Sequence, residues 1–191
     1  MIDVIVKVGG GLLAHPTEFE RALVTIAEGA TKRRILIVPG GGPFADAVRR
    51  TYQEMSVSED AAHWMAVLAM DQYAYLIASR LRAGCVEHSP TQIEALIDHG
   101  RIPVLAPSSW LRRVDPLPHD WSVTSDSIAA WIAGSIGAGH LILVKPPGAS
   151  GPSLVDAHFA HALRAGIRHS IIPADQIDVL TSAISGRDSV T

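Results

Sequence analysis

The chain has 191 residues, 48% of them hydrophobic and 18% charged, with a formal net charge of -3. That composition supports a sizeable core and excludes a disordered polyelectrolyte, while the weak charge, with no block of one sign, disfavours a nucleic-acid groove or an anionic-membrane patch. The single cysteine, Cys85, excludes an intrachain disulfide framework and a cysteine-rich zinc module, and no apolar run approaches the ~20 residues of a membrane span. A soluble protein of a reducing compartment, cytoplasmic and folded as one domain over residues 1–191, is the expectation.

Hydrophobic periodicity predicts short strands alternating with longer helices. Val4–Val8 reads as a strand and Thr17–Ala30 as a helix, with Pro16 near its first turn. Ile35–Val38 is a continuous apolar run, as in a strand covered on both faces, and Phe44–Gln53 reads as a helix. Ser56 and Glu59 have the spacing of a capping box ahead of a long helical segment, Asp60–Leu81. Cys85, after Gly84, falls at a strand start and reads as a packing residue. Ser89-Pro90-x-Gln92 opens a helix ending near Gly100, and Ile102–Leu105 reads as a strand weakened by Pro103. A loop from Pro107 to Ser122 follows, then a helix Asp126–Gly137, a strand Leu141–Val144 and a helix Leu154–Ala165. A strand at Ser170–Ile172 and a helix to about Ser185 complete the pattern, which predicts an α/β fold with a mainly parallel sheet.

In such sheets ligands gather at the carboxyl ends of the strands. The first strand contains Lys7 and ends in Gly9-Gly10-Gly11; the second ends in Pro39-Gly40-Gly41-Gly42 directly before a helix; a late strand ends in Lys145-Pro146-Pro147-Gly148. Successive glycines let backbone N–H groups converge on an anion, and a following helix adds its positive end. The chain has three lysines, and two of them, Lys7 and Lys145, sit in or at the end of apolar strands. They read either as stems lying along a sheet edge with wet heads or as phosphate-gripping cations, and the adjacent glycines favour the second. The runs Gly9-x-Gly11-x-x-Ala14 and Gly40-x-Gly42-x-x-Ala45 also fit a relaxed dinucleotide fingerprint, but no acid stands at the end of the next strand to bind a ribose, and no P-loop motif exists. Thr124-Ser125-Asp126-Ser127 reads as a helix N-terminus, and the preceding His119-Asp120-Trp121-Ser122-Val123 as a ligand wall. Asp156, His158 and His161 have near-helical spacing but read as a solvated face, so no metal site is predicted.

Three ordered motifs, Lys7-Val8-Gly9-Gly10, Pro39-Gly40-Gly41-Gly42 and Thr124-Ser125-Asp126-Ser127-Ile128-Ala129-Ala130, resemble the amino acid kinase superfamily across essentially the whole chain. The resemblance implies a three-layer α/β/α sandwich, transfer of the ATP γ-phosphoryl group to a carboxylate or phosphate oxygen, Mg²⁺ with the nucleotide, and a homo-oligomer. His63-x-Met65-Ala66 with Ala69-Met70-Asp71, and His119-x-Trp121-x-x-Thr124-Ser125-Asp126, resemble the branch acting on an aminomethylfuran-methyl phosphate, which makes a diphosphate intermediate of methanofuran or methylofuran.

Carried onto this sequence, the resemblance implies that Lys7, Asp126 and Lys145 are catalytic and that Gly9, Gly10, Gly11, Lys145 and Gly148 bind nucleotide phosphates. Gly40, Gly41, Gly42, His63, His119, Trp121, Thr124 and Ser125 would bind the acceptor, with Asp71 or Asp120 facing its ammonium. Two departures stand out. Gly11 replaces a frequent Ser or Thr, and Val144-Lys145-Pro146-Pro147-Gly148 replaces the Thr-Asp and Val-x-Gly turn of many members, with no lysine after Lys145. A non-catalytic nucleotide-binding or regulatory subunit is the alternative from another function class.

Overall fold

Alternation along the strands sorts their side chains onto two faces, and both faces are apolar. In the computed structural model, which describes residues 1–151 and 154–186, six strands form one parallel sheet: β1 (Val4–Val8), β2 (Ile35–Pro39), β3 (Gly84–Glu87), β4 (Ile102–Leu105), β5 (His140–Lys145) and β6 (Arg168–Pro173). Their spatial order is β3-β4-β2-β1-β5-β6. The helices are α1 (Pro16–Ala30), α2 (Gly42–Met55), α3 (Glu59–Arg80), α4 (Ile93–Asp98), α5 (Ser108–Val114), α6 (Ser125–Ile136), α7 (Phe159–Ala162) and α8 (Ile177–Ser185).

One face, carrying Val4, Val6, Val8, Ile35, Ile37, Ile142 and Val144, packs against α1, the second half of α3 and α8. The other, carrying Ile5, Leu36, Val38, Leu141 and Leu143, packs against α6, the first half of α3 and the short helices α4, α5 and α7. The result is the expected α/β/α sandwich. Helix α3 contributes Val67 and Met70 to one core and Tyr73, Ala74 and Ile77 to the other, so its sequence is apolar around much of its circumference.

The structure departs from the sequence reading in several places. The cap of α3 is Ser58, whose hydroxyl accepts from Ala61 N, and not Ser56, which closes α2 in a left-handed conformation. The proline- and tryptophan-rich segment after Pro107 contains α5, whose Trp110 and Leu111 are buried and whose Ser108 N–H and hydroxyl both donate to Asp71 on α3. Asp71 is therefore committed to capping α5 and does not face a ligand. Helix α2 begins at Gly42, two residues before Phe44. The helix expected over 154–165 shrinks to α7, because Asp156 turns inward to the first turn of α6. Strand β4, despite Pro103, lies inside the sheet, and its pairing with β2 is confined to Ile37 opposite Val104.

Candidate functional site

From β1 the chain moves outward to β2 on one side, and after β4 it crosses to β5 on the other. Such a switch point opens a crevice at the strands' carboxyl ends. A cavity of about 310 Å³ lies there, lined by Lys7, Gly10, Gly11, Gly41, Gly42, Ala45, Asp46, Arg49, Ala66, Met70, Trp121, Val123, Thr124, Ser125, Asp126 and Ile128.

Lys7 shares the face of β1 that carries Ile5, so it points at α6 rather than into solvent. Its Nζ donates to Oδ1 of Asp126 at 2.8 Å, and Nζ of Lys145, at the end of β5, donates to Oδ2 at 2.6 Å. Only 5% of the Lys7 side chain, 8% of Asp126 and 12% of Lys145 are exposed. Burial pushes the Asp126 carboxyl up, but the charges and hydrogen bonds of Lys7 and Lys145 outweigh it and hold it below the ordinary carboxylate value. Burial pulls the Lys145 ammonium down, and the nearby Lys7 charge adds to that shift. Two ammonium groups share one carboxylate, with the Asp156 carboxylate also acting on Lys145, so two cations stand together at the ends of β1 and β5 where an anion could meet them.

The two glycine turns pack directly on one another. A Cβ on Gly10 would collide with the backbone N and Cα of Gly42, and one on Gly40 would come within 2.7 Å of Gly10 N. Gly42 has φ of 56°, a left-handed conformation suited to glycine. No side chain caps α2 or the 3₁₀ turn at Gly10–Ala14. By contrast, the N-terminus of α6 is heavily satisfied: Thr124 caps Asp126 N, and Asp156 accepts from the N–H and hydroxyl groups of both Thr124 and Ser127. Asp156, expected with His158 and His161 on a solvated face, instead turns inward because the first turn of α6 offers it four donors.

The outer wall is aromatic and charged. Trp121 stands edge-on to Tyr52 with ring centroids 5.4 Å apart, and the Arg49 guanidinium lies 5.1 Å over the Trp121 ring. Arg49 also donates to Asp46 at 3.0 Å. Neither Arg49 nor Asp46 was singled out from the sequence, because their i,i+3 spacing on α2 resembles an ordinary surface pair.

Of the residues expected at a ligand, Lys7, Gly10, Gly11, Gly41, Gly42, Trp121, Thr124, Ser125 and Asp126 meet at this cavity. Gly9, Gly40, Lys145, Gly148, His63 and His119 are not among its lining residues. Gly9 accepts from the Tyr73 hydroxyl at 3.3 Å and donates to the Val144 carbonyl, and Gly40 donates to the Val8 carbonyl, so both are structural supports. Gly148 donates to Asp175. His63 and His119 stack on each other outside the cavity, with centroids 4.0 Å apart. The Asp120 carboxylate accepts from Ser122 N and is not among the lining residues either.

The chain is 32% identical over 130 residues to the (5-(aminomethyl)furan-3-yl)methyl phosphate kinase of Methanocaldococcus jannaschii, in an alignment covering 67% of this chain and 58% of that protein. It thus spans just over half the length of that relative. Uridylate kinase from Archaeoglobus fulgidus superposes with a TM-score of 0.71 at 17% identity, covering 97% of this chain and 96% of the other. UMP kinase from Ureaplasma parvum gives 0.71 at 14% identity, over 98% and 96% of the two chains. At these identities the structural likeness is one of fold. The profile of the amino acid kinase family matches residues 4–146, and with the sandwich and its ordered glycine turns the chain belongs to that family.

Proposed function

We propose that the protein is an ATP-dependent phosphotransferase whose acceptor is a phosphate monoester, most specifically an aminomethylfuran-methyl phosphate. The observation that carries this reading is the buried Lys7–Asp126–Lys145 cluster, two cations on one carboxylate, beside two glycine turns at the cavity. An acceptor phosphate oxygen attacks the γ-phosphorus of ATP, the bond to the bridging oxygen breaks, and ADP departs with the electron pair. The acceptor is already anionic near neutral pH, so no proton has to be abstracted. Catalysis then consists of positioning and charge neutralisation.

In this reading Lys7 neutralises the transferring oxygens, and backbone N–H groups at Gly10 and Gly11 contact the same group. Gly41 and Gly42 hold the acceptor at the start of α2. Asp126 orients both lysines, and Lys145 holds Asp126 in place. Among the described residues no three His, Cys, Asp or Glu side chains cluster to hold a metal. Mg²⁺ bound with the nucleotide would supply further neutralisation of the phosphate charge beside Lys7. The finer substrate assignment draws on the relative's name and on the cavity wall. Ala66, Met70 and Ile128 are apolar, Trp121 offers a ring face, and Asp46 offers a carboxylate to an ammonium. A homo-oligomer is part of the proposal, supported by Leu68 and Tyr75, exposed on α3.

The test is Mg·ATP turnover with aminomethylfuran-methyl phosphate, isopentenyl phosphate, uridylate, acetylglutamate and carbamate. Diphosphate formation from the furan phosphate alone is expected. ATP binding without turnover of any of these acceptors would reject the furan phosphate as acceptor and point to an acceptor outside the panel or to a regulatory nucleotide-binding subunit.

A further inference from the structure

The pair His63–His119 lies outside the cavity, yet the segment bearing His119 delivers Trp121 to the cavity wall two residues later. Both nitrogens of the His119 ring face carboxylates. Nδ1 lies 2.7 Å from Asp60 Oδ1 on the first turn of α3, and Nε2 lies 2.7 Å from Asp115 Oδ1 at the end of α5. A neutral imidazole has one N–H and could serve only one of these carboxylates; the other ring nitrogen would present a lone pair to an anionic oxygen. This geometry is that of an imidazolium with two charge-assisted hydrogen bonds. Asp115 closes α5 with φ of 39°, a left-handed conformation that non-glycine residues seldom adopt, and its contact to His119 holds it there.

We propose that His119 is a positioning residue: its doubly bonded imidazolium clamps residues 115–121 onto α3 and α5 and so sets the Trp121 wall of the cavity. The clamp itself follows from the ring's contacts; its effect on substrate rests on the proposed acceptor site.

The surroundings of the ring are consistent with a clamp that carries charge. From α3 it meets Asp60, the His63 ring and the edge of Trp64, and from α5 it meets Asp115, with the Arg112 guanidinium 4.9 Å over Trp64. Asp120, on its own segment, adds a further negative charge near His63. Burial pulls His119 down, but the hydrogen bonds and charges of Asp115 and Asp60 outweigh it and raise the ring above its ordinary value. Burial, reinforced by the His119 charge, lowers His63 to about 4. Between about pH 4 and 6.5 the stack is therefore a charged ring on a neutral one. As pH rises through the His119 midpoint, one of the two hydrogen bonds is lost and the clamp opens.

The experiment uses the full chain carrying fluorotryptophan, with the Trp121 resonance assigned through Trp121→Phe and the His119 ring followed in the same samples. Trp64 touches the ring and senses its charge directly; Trp121 does not, and so reports the segment. The expected result is a His119 midpoint above 6.5 and a Trp121 resonance that moves with it. His119→Gln should abolish that movement and raise KM for the furan phosphate about tenfold, with kcat within about twofold, as for loss of one charge-assisted bond. Asp60→Asn, at an exposed position that leaves the fold intact, should lower the His119 midpoint. A Trp121 resonance that stays flat through the titration, or a His119 midpoint at or below 6.5, would overturn the clamp. Absence of turnover with the furan phosphate would overturn the acceptor assignment instead, while the two resonances still decide the clamp.

Discussion

Lys7 is the residue on which the proposed chemistry depends most directly, since it is a buried cation that also lines the cavity. Lys7→Ala should lower kcat by about 10²- to 10³-fold, the usual cost of losing one preorganised donor to developing charge. Near-wild-type turnover of that variant would reject the assignment. Asp126→Asn has a second consequence, because it leaves two ammonium groups buried side by side without their counter-charge. It should destabilise the fold by about 3 kcal/mol in urea titration, as breaking a buried ion pair does, besides lowering turnover. Gly10 is constrained by packing rather than by charge. Gly10→Ala drives a Cβ into the backbone of Gly42 and should displace the start of α2, visible as lost nucleotide or acceptor binding in calorimetry.

Among the elements, α6 matters because its first turn holds Asp126 in place, and the turn itself is held by Asp156. One carboxylate serves Thr124 and Ser127 through both backbone and side chain. Asp156→Ala should cost about 2 kcal/mol, the upper end for a lost helix cap, and blur the position of Asp126. A kcat loss larger than the KM change would mark this as disturbed geometry in the transition state; an unchanged denaturation midpoint would show that the cap carries no stability. The helices α2 and α6 thus divide the work. The end of α6 is saturated by its own chain, whereas the end of α2 has no side-chain cap and borders the cavity.

For the whole molecule, acid stability follows from groups whose folded and unfolded protonation differ. His63 is held neutral in the fold down to about 4, whereas in the unfolded chain it takes up a proton near 6.5. Its contribution is therefore present above pH 6.5 and is lost as pH falls from 6.5 toward 4. Asp126, held below its ordinary value, adds a loss that begins near pH 3.8 and continues below it. His119 acts in the opposite sense, stabilising below 6.5 and fading as pH rises through its folded midpoint. The midpoint of thermal unfolding should fall between pH 6.5 and 4, and His63→Phe, which keeps a ring against His119, should flatten that decline. An equally steep decline in the variant would locate the acid lability elsewhere.

The sandwich and the glycine turns were legible in the chain because they rest on local signals, whereas the roles of Lys7 and Asp126 came from the family resemblance and their pairing across 119 residues from the fold. Strand periodicity, consecutive glycines before a helix, and a lysine inside an apolar run each carry their own physical reason. The alternation of β1 even dictates which face Lys7 occupies. What only the tertiary structure decided are contacts between groups distant in sequence that have no periodic signature. Lys145 meets the same carboxylate as Lys7 because β5 lies beside β1. Asp71 caps α5 instead of facing a ligand, and Asp156 reaches back to α6 at the cost of the helix expected around it. His119 was placed at the substrate from its neighbourhood to Trp121, but carboxylates 59 residues before it and four residues before it hold its ring outside the cavity. A polar side chain goes wherever its hydrogen bonds are satisfied, and that partner is chosen by the fold, not by the adjacent residues.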